Sequence, residues 1–491
     1  MLTVFVHKEN IHRLTYSALK RIKYLWVKNM LSKNLSENKK LMDKVLRAEQ
    51  SFDILRRDII ICNREARIYA IDGLLKDGVL SKMMTFFYSL KDESVFENAD
   101  VFSKNCVPYI EVNNEKDINT ITQNILSGVC AMFIDGFDCA ILMDTRTYPQ
   151  RQTSEPDTDK VMRGSKDGFV ETVISNIALM RRRIRDVNFT VKPFSVSRTS
   201  KADVVLCYME DKVDHKLLRE ISNRIENTKV DSLAMNQQSL IEAIYPKKWY
   251  NPFPKIKYTE RPDSAAANAM KGNIIILVDN SPSALILPTS IFDVTEEADD
   301  YYFPPLTGSY LRLARFFILL CSVFITPLWL LAQQNPTLVP ETFRFVVVTE
   351  GHNLSIFWQL IILELAIDGL RLASLNTPTS LSGTMGIIGA IALSEFTVDV
   401  GWFSTQAILY MAFATLAGFT QPNYELGYCV KFIRILLLIL TSIFNVYGFI
   451  AGLVITVILL VTNKTISGKS YLYPLIPFKG KAFLNKVLRL R

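Results

Sequence analysis

The chain has 491 residues, of which 49% are hydrophobic and 21% are charged, and its formal net charge is +8. This length corresponds to about three ordinary domains. The charges are unevenly spread, since only 11 of the 104 Lys, Arg, Asp and Glu residues lie between positions 316 and 463. Uncharged runs in that part extend from Phe316 to Ala332, from Gly401 to Tyr424 and from Ile435 to Asn463. Because a membrane-spanning helix needs about 17 to 25 apolar residues, we predict a membrane protein rather than a purely soluble one.

Several classes of site are not indicated by the sequence. The seven cysteines are scattered without a C-x-x-C pair, and the chain has only four histidines. We therefore expect neither a zinc site nor a disulfide framework. The patterns of nucleophilic hydrolases, P-loop proteins, dinucleotide-binding proteins and zinc proteases do not occur. The prediction is a protein that is not an enzyme and that has no cofactor and no metal.

The carboxyl-terminal tail gives an expected orientation in the membrane. Residues 464–491 contain seven Lys and Arg residues and no Asp or Glu. By the positive-inside rule this tail faces the cytoplasm, and its charge favours anionic lipid headgroups as partners rather than nucleic acid. The connection from Gln333 to Asn353 has Arg344 as its only basic residue, which suits the opposite side of the membrane.

The amino terminus is expected on the same side as the tail. The first 13 residues lack the continuous apolar core of a signal peptide. With both ends inside, the number of crossings is even, about four to six. The number stays open because the run from Ile435 to Asn463, with Asn445 near its middle, could form one tilted helix or a tight hairpin.

In the amino-terminal region, short apolar runs alternate with charged amphipathic stretches, which is typical of an α/β domain. Two runs, from Gly128 to Met143 and from Gly272 to Leu287, place Asp-Gly or Asp-Asn at the same offset between apolar arms. Each run predicts a β-hairpin whose strands are buried on both faces, unless the similarity is chance. The run from Ile59 to Leu74 suggests another strand pair.

These patterns predict a multidomain membrane protein with a cytoplasmic α/β region of two subdomains and an α-helical transmembrane bundle. The predicted segments are 1–50, helical or partly disordered; 51–160 and 161–300, the two α/β subdomains; 301–463, the transmembrane helices; and 464–491, the basic tail.

The tract between the two hairpins carries a row of arginines. Apolar residues from Phe169 to Met180 have helical spacing, and the predicted helix ends in Arg181, Arg182, Arg183 and Arg185. These arginines could bind an anion or an acidic partner. The alternative is that they satisfy the helix end and pair with Glu155, Asp157 and Asp159 of the preceding loop.

Acidic residues occur in pairs within the apolar part, where a charge normally faces protein or water. Glu364 and Asp368 share one helix face, which Arg371 continues. We expect Arg371 to offset Asp368 and Glu364 to be the less compensated acid, which makes this pair a candidate ion path. Glu395 and Asp399 repeat the spacing, and the alternative for both pairs is an interfacial position near a helix end.

A glycine-rich segment follows the first acidic pair. Gly383, Gly386 and Gly389 are spaced three apart, which allows neighbouring helices to approach closely. We consider this segment a second candidate for lining a pore, although any helical bundle also needs close packing.

Four tracts of the α/β region are distinctive: P-x-R-x-x-x-E-P-D, R-G-x-x-x-G-F-x-E, N-I-A-L-x-R-R-R-I and E-R-P-D. Their combination resembles the GerA family of spore germination proteins, the A subunits of germinant receptors, from about residue 50 to residue 480. Two more tracts, V-G-W-F-S at 400–404 and Y-L-Y-P-L-I-P-F at 471–478, resemble a sporulation branch of that family. The motif residues are Arg151, Glu155, Pro156, Arg163, Gly164, Gly168, Phe169, Asn176, Arg181, Arg182, Arg183, Glu260, Arg261, Pro262 and Asp263.

This resemblance implies a function in the inner membrane of the spore. It suggests a subunit of an oligomeric ion channel or ion-release complex, with membrane lipid, further copies of the chain, a further membrane subunit and germinant receptor proteins as partners. The alternative is a non-conducting membrane scaffold that stabilises germinant receptors or another ion-release complex.

Overall fold

The computed structural model describes residues 31–147, 162, 164–228, 236–245, 250–349, 351–377, 383, 386, 387, 389 and 395–489. The chain divides into two compact units. The first comprises Met1–Lys160, Ser165–Ile244 and Thr259–Ile286, and the second comprises Val161–Gly164, Tyr245–Tyr258 and Leu287–Arg491.

The first sheet is antiparallel and has five strands in the order β1-β2-β4-β5-β3. Its central strand β4 is buried along its whole length because alternate side chains enter hydrophobic clusters on opposite faces. The strands are β1 (Ile54–Ile61), β2 (Arg64–Ile71), β3 (Val112–Glu115), β4 (Cys130–Ile134) and β5 (Ala140–Met143). The helices in the same stretch are α1 (Leu35–Leu46), α2 (Asp77–Ser89), α3 (Ala99–Cys106) and α4 (Ile118–Leu126).

The second sheet repeats the order of the first, β6-β7-β9-β10-β8. Each sheet begins with a long hairpin, and its shorter hairpin, β4–β5 or β9–β10, follows a helix. The strands are β6 (Phe189–Val196), β7 (Ala202–Met209), β8 (Lys257–Thr259), β9 (Ile274–Val278) and β10 (Ala284–Leu287). The helices are α5 (Val173–Arg183), α6 (His215–Glu226), α7 (Asn236–Ile244) and α8 (Pro262–Met270).

Both predicted hairpins are confirmed, and their turn aspartates have the same second role. Asp135 accepts a hydrogen bond from the backbone N–H of Leu35 at 3.0 Å, where α1 begins. Asp279 accepts one from Val173 at 3.1 Å, where α5 begins. Since the first N–H groups of a helix have no partner within the helix, each turn also caps the helix that precedes its own sheet.

The strand pair suggested near Ile59 is also confirmed. The chain reverses at Cys62 and Asn63, whose φ angles are 47° and 63°. Two successive positive φ angles are characteristic of the tight turns that join twisted antiparallel strands.

The second unit is helical. Among the described residues, α11 and α15 are the two helices that are long and apolar enough to cross a membrane. The helices are α9 (Ile291–Val294), α10 (Asp299–Tyr302), α11 (Pro305–Gln334), α12 (Ile356–Asn376), α13 (Glu395–Asp399), α14 (Thr405–Phe419), α15 (Tyr424–Thr462) and α16 (Gly480–Val487).

Helix α15 is a hairpin of two arms, which decides between the two alternatives that the sequence allowed. Asn445 has φ 53° and ψ −132°, which interrupts the helix. Beyond it the chain packs back on itself, because a Cβ on Gly452 would lie 2.7 Å from the side chain of Leu437. The arms cover residues 424–444 and 446–462, so each is about 25 to 32 Å long. This length matches the hydrocarbon thickness of a bilayer, about 30 Å.

We expect Asp135→Ala to lower the free energy of unfolding by about 1 kcal/mol, because the N–H of Leu35 loses its acceptor while Asn34 still caps the N–H of Ser36. Asp138→Ala is the matched control, since Asp138 follows the same turn but pairs with the exposed Lys116. Urea unfolding of the full-length chain, followed by circular dichroism, measures both. Equal effects of the two variants would show that the cap does not stabilise the fold.

Candidate functional site

Three of the four motif tracts meet in the first unit, around the backbone of Ser165. Arg183 donates from Nη2 to both carboxylate oxygens of Asp167 at 2.6 Å and to Oγ of Ser165 at 3.0 Å. The fully buried Arg261 donates to the carbonyl of Ser165 at 2.8 Å and to Asp263 at 2.6 Å. We call these five residues the motif cluster.

The electrostatics of the motif cluster favour the ionised form of its central acid. Burial raises the pKa of Asp167, but hydrogen bonds from Arg183 and Ser165 lower it more, so that the pKa lies below its usual value. The acid is therefore a permanent anion at neutral pH that binds two segments of the chain together. The cluster can orient the loop before α5, and its charges are paired within the chain.

The other described motif residues support the same region. The side chain of Asn176 accepts from the backbone N–H of Val170 at 2.8 Å and donates to its carbonyl at 2.6 Å. Phe169 is buried, and its N–H donates to the carbonyl of Glu260 at 2.8 Å. Pro262 is the first residue of α8, where a missing N–H has no cost.

The two glycines of the second tract differ in their surroundings. Gly168 is buried. Gly164 has φ +110°, and a Cβ there would collide with the ring of Tyr302. The remaining motif residues, Arg151, Glu155, Pro156 and Arg163, lie outside the described residues.

Arg181 joins the two sheets through a buried ion pair. Its guanidinium donates to Asp53 from Nε at 2.8 Å and from Nη2 at 3.0 Å, and both side chains are at most 1% exposed. It also donates to the hydroxyl of Ser51 and to the carbonyls of Asp186 and Phe189. Because every donor nitrogen has an acceptor, the buried charge is fully compensated.

Two arginines of the row have described acidic partners. Arg181 pairs with Asp53, and Arg183 pairs with Asp167 in the loop that precedes the helix. Arg185 donates to the carbonyl of Arg182 at the helix end. The suggested partners Glu155, Asp157 and Asp159 lie outside the described residues, and a subunit contact through this row stays a prediction.

The second unit contains a cluster of four charged residues between its apolar helices. Glu364 accepts from Arg434 at 2.6 and 3.2 Å, and both residues are buried. Lys431 lies 3.6 Å from Glu364 and pairs closely with Asp368. We call these four residues the helix charge cluster, which connects α12 with the first arm of α15. Arg434 also donates to the carbonyl of Ser322 in α11 at 3.1 Å.

The expected compensation of the acidic pair was wrong. Glu364 is the better compensated acid, and Lys431 is the cation that pairs with Asp368. The guanidinium of Arg371 instead lies over the rings of Phe419, Tyr424 and Tyr428 at 5.0 to 5.5 Å. Lys431 and Arg434 were not among the predicted site residues. Their spacing of three, which places them on one helix face, is the signal that could have found them.

The other pore candidates differ in how closely they are packed. A Cβ on Gly389 would lie 2.7 Å from the side chain of Leu370, so close packing exists at this position. At Gly383 and Gly386, no described atom lies within 4 Å of such a Cβ. Glu395 and Asp399 are the first and last residues of α13, and Asp399 is exposed.

A family model described as Bacillus/Clostridium GerA spore germination protein matches residues 40–491. The chain belongs to the GerA family. The resemblance of the motif tracts is thereby confirmed, and the matched range contains both the motif cluster and the helix charge cluster.

Individual relatives of this GerA-family chain match nearly its whole length. Stage V sporulation protein AF of Bacillus subtilis (strain 168) is 36% identical over 93% of this chain and 92% of the relative. The uncharacterized membrane protein YfkQ of the same strain is 27% identical over 91% and 87%. The crystal structure of the N-terminal domain of the A subunit of the Bacillus megaterium spore germinant receptor GerK3 matches with 26% identity and a TM-score of 0.39, over 52% of this chain and 95% of that one.

We expect Arg181→Ala to lower the free energy of unfolding by about 3 to 5 kcal/mol, because it leaves the buried Asp53 without its cation. The double variant Arg181→Met with Asp53→Leu should be more stable than Arg181→Ala, since no charge is then left unpaired. Arg185→Ala at the same helix end is the control. If Arg181→Ala and Arg185→Ala unfold at the same urea concentration, the ion pair does not hold the two sheets together.

A second prediction concerns the helix charge cluster. Glu364→Gln should destabilise the folded chain in detergent by several kcal/mol, because Arg434 stays buried without a full countercharge. Adding Arg434→Gln should recover part of the loss. Arg371→Gln removes a charge from the same helix without breaking an ion pair of the cluster and serves as the control. The temperature at which each purified variant aggregates measures its relative stability. A double variant that aggregates at a lower temperature than Glu364→Gln would contradict the pairing.

Proposed function

We propose that this protein is an integral membrane protein of spore germination that acts as a subunit of an oligomeric ion channel or ion-release complex. The observation that carries the proposal is the helix charge cluster. Four ionisable side chains within apolar helices are costly in a bilayer and are usually found where ions or protons pass. The membership of the chain in the GerA family of spore germination proteins supports spore germination as the biological process.

The membrane location is supported by exposed side chains of the helical unit. Exposed tyrosines lie near the first residues of α11 and α15, at Tyr310 and Tyr424, and exposed tryptophans lie near the first residues of α12 and α14, at Trp358 and Trp402. Aromatic residues are enriched at both interfaces of a membrane. Between these ends the exposed positions are mainly aliphatic or phenylalanine, as lipid contact requires: Leu313, Phe317, Leu320, Leu328, Leu365, Leu409, Leu416, Ile439, Ile443 and Ile450.

The part of the cluster that can meet an ion is its Asp368 end. The side chain of Asp368 is 34% exposed, whereas that of Glu364 is 6% exposed. The next residue, Gly369, has no described atom within 4 Å of a would-be Cβ. A second copy of the chain can therefore approach Asp368 closely, so that the path for ions runs between copies and the carboxylate attracts cations to it.

The proposed function also has a cellular location and protein partners. The protein lies in the inner membrane of the spore with its α/β region and its basic tail in the cytoplasm, since the tail has seven basic residues and no acidic ones. Further copies of the chain, a further membrane subunit and germinant receptor proteins are its protein partners.

A non-conducting scaffold is the second candidate, and one observation favours it. Each charge of the helix charge cluster has an opposite charge within the same chain. Such complete pairing is what a purely structural network in a membrane protein needs. In this case, the cluster holds α11, α12 and α15 together, and the protein stabilises receptors without passing ions.

The deciding experiment compares Asp368→Asn with wild type in planar bilayers and in germinating spores. We expect the variant to reduce cation conductance and ion release several-fold at normal protein level, because Lys431 then gives the path a positive potential. Glu341→Gln removes an exposed acid between α11 and α12 and is the control. Wild-type protein that inserts but shows no conductance, together with slowed germination when it is deleted, would support the scaffold instead.

A further inference from the structure

The basic tail of the second unit is folded back onto the segment that leads into α11. The ammonium of Lys486 in α16 forms an ion pair with Asp293, and the N–H of Arg489 donates to the hydroxyl of Ser309 at 3.0 Å. The ring of Phe483 packs on Phe292, with 5.8 Å between centroids. Lys486 and Arg489 of the tail therefore have partners within the chain, which the sequence did not indicate.

The side of the tail that faces away from these contacts is both apolar and basic. Phe478 is 69% exposed, and Leu484 is 48% exposed. Lys479 and Lys481 are exposed between them. In α16, Lys481 and Leu484 are three residues apart and share one face, whereas Phe483 and Lys486 are on the side that packs inward. Leu475 and Ile476 extend the exposed apolar surface.

The position of this surface follows from where the tail is held. Ser309, which binds Arg489, is in the first two turns of α11, and the neighbouring Leu306 and Tyr310 are also exposed. If α11 crosses the bilayer, its first turns lie at the level of the lipid headgroups. The tail is then fixed at the same level, with its apolar side chains directed outward.

We propose that residues 475–484 are an interfacial anchor for anionic phospholipid, in which the apolar side chains enter the headgroup region and Lys479 and Lys481 bind the phosphates. This inference rests on the proposed membrane function and adds a specific lipid contact to it. An amphipathic surface with lysines beside aromatic and aliphatic side chains has the composition of interfacial membrane anchors.

The charges around the tail favour lipid over a protein partner. The acids of the adjoining segment are already bound within the unit, since Arg312 pairs with Glu296 at 3.1 Å and Arg315 pairs with Asp300 at 3.1 Å. Between residues 464 and 491 there is no Asp or Glu. The exposed surface therefore presents positive charge, and an anionic bilayer is the extended negative surface that lies beside the start of a spanning helix.

Photocrosslinking of the full-length protein in vesicles of phosphatidylglycerol and phosphatidylcholine tests the anchor. A benzophenone side chain replaces Phe478. Leu416 of the apolar helix α14 is the positive control and Ile110 of the α/β region is the negative control, and both are exposed. We expect lipid adducts at 478 and 416 but not at 110. Adducts at 416 alone would overturn the anchor and leave the membrane function standing, whereas their absence at 416 would overturn the membrane function. Adducts of residue 478 with another protein chain would also overturn the anchor.

The preference for anionic lipid is tested by Lys479→Gln with Lys481→Gln. The ratio of phosphatidylglycerol to phosphatidylcholine adducts at residue 478 should fall by about fivefold for each lysine removed. Lys212→Gln with Lys216→Gln, two exposed lysines of the α/β region, is the matched control and should leave the ratio unchanged. An unchanged ratio in the tail variant would show that the lysines do not bind headgroups.

Discussion

A buried guanidinium needs a carboxylate in contact with it, and this requirement organises the protein. Transferring an arginine from water into an apolar interior costs more free energy than its apolar contacts contribute. The cost is offset when an acid and further hydrogen-bond acceptors surround the guanidinium. The chain meets the requirement by pairing each such arginine with an acid, over sequence separations of 2 to 128 residues. The buried pairs are Arg181 with Asp53, Arg261 with Asp263, Arg312 and Arg315 with Asp300, and Arg434 with Glu364.

These pairs have different consequences in the two units. In the first unit, Arg181 and Asp53 come from different halves of a duplicated α/β arrangement, so the pair makes the orientation of one sheet depend on the other. In the second unit, Arg434 and Glu364 come from different apolar helices, where dispersion and small-residue contacts supply less specificity. In both units a directional contact selects one arrangement among several that apolar packing alone would permit.

The two sheets have the same strand order, so the same chain connections occur twice. In each copy an aspartate in the turn of the shorter hairpin also caps a helix. One residue type thereby links a local turn with an element that is distant in sequence. The function proposed for the chain depends instead on charges near the surface of the second unit. The partly exposed Asp368 and the exposed lysines at 479 and 481 are the charges on which the proposed ion path and lipid anchor rest.

Local patterns in the sequence were enough to predict the two α/β hairpins, the helix that ends in the arginine row, the apolar helical region and the family. Each of these depends on neighbouring residues, since hydrophobic periodicity and turn residues act within a few positions. The pairing partners could not be predicted in the same way. The sequence placed Arg371 with Asp368 because they are three residues apart, but Lys431, which is 63 residues away, is the cation that reaches it.

The sequence by itself thus determined the hairpins at 128–143 and 272–287, the helix that ends in the arginine row, the apolar helical region and the family of the chain. Only the tertiary structure decided that α15 turns back at Asn445, that Arg181 joins two sheets and that Lys486 lies inside while Lys479 and Lys481 lie outside. The physical reason is that secondary structure depends on contacts close in sequence, whereas the partner of a charge depends on which distant side chain is brought within about 3 Å of it.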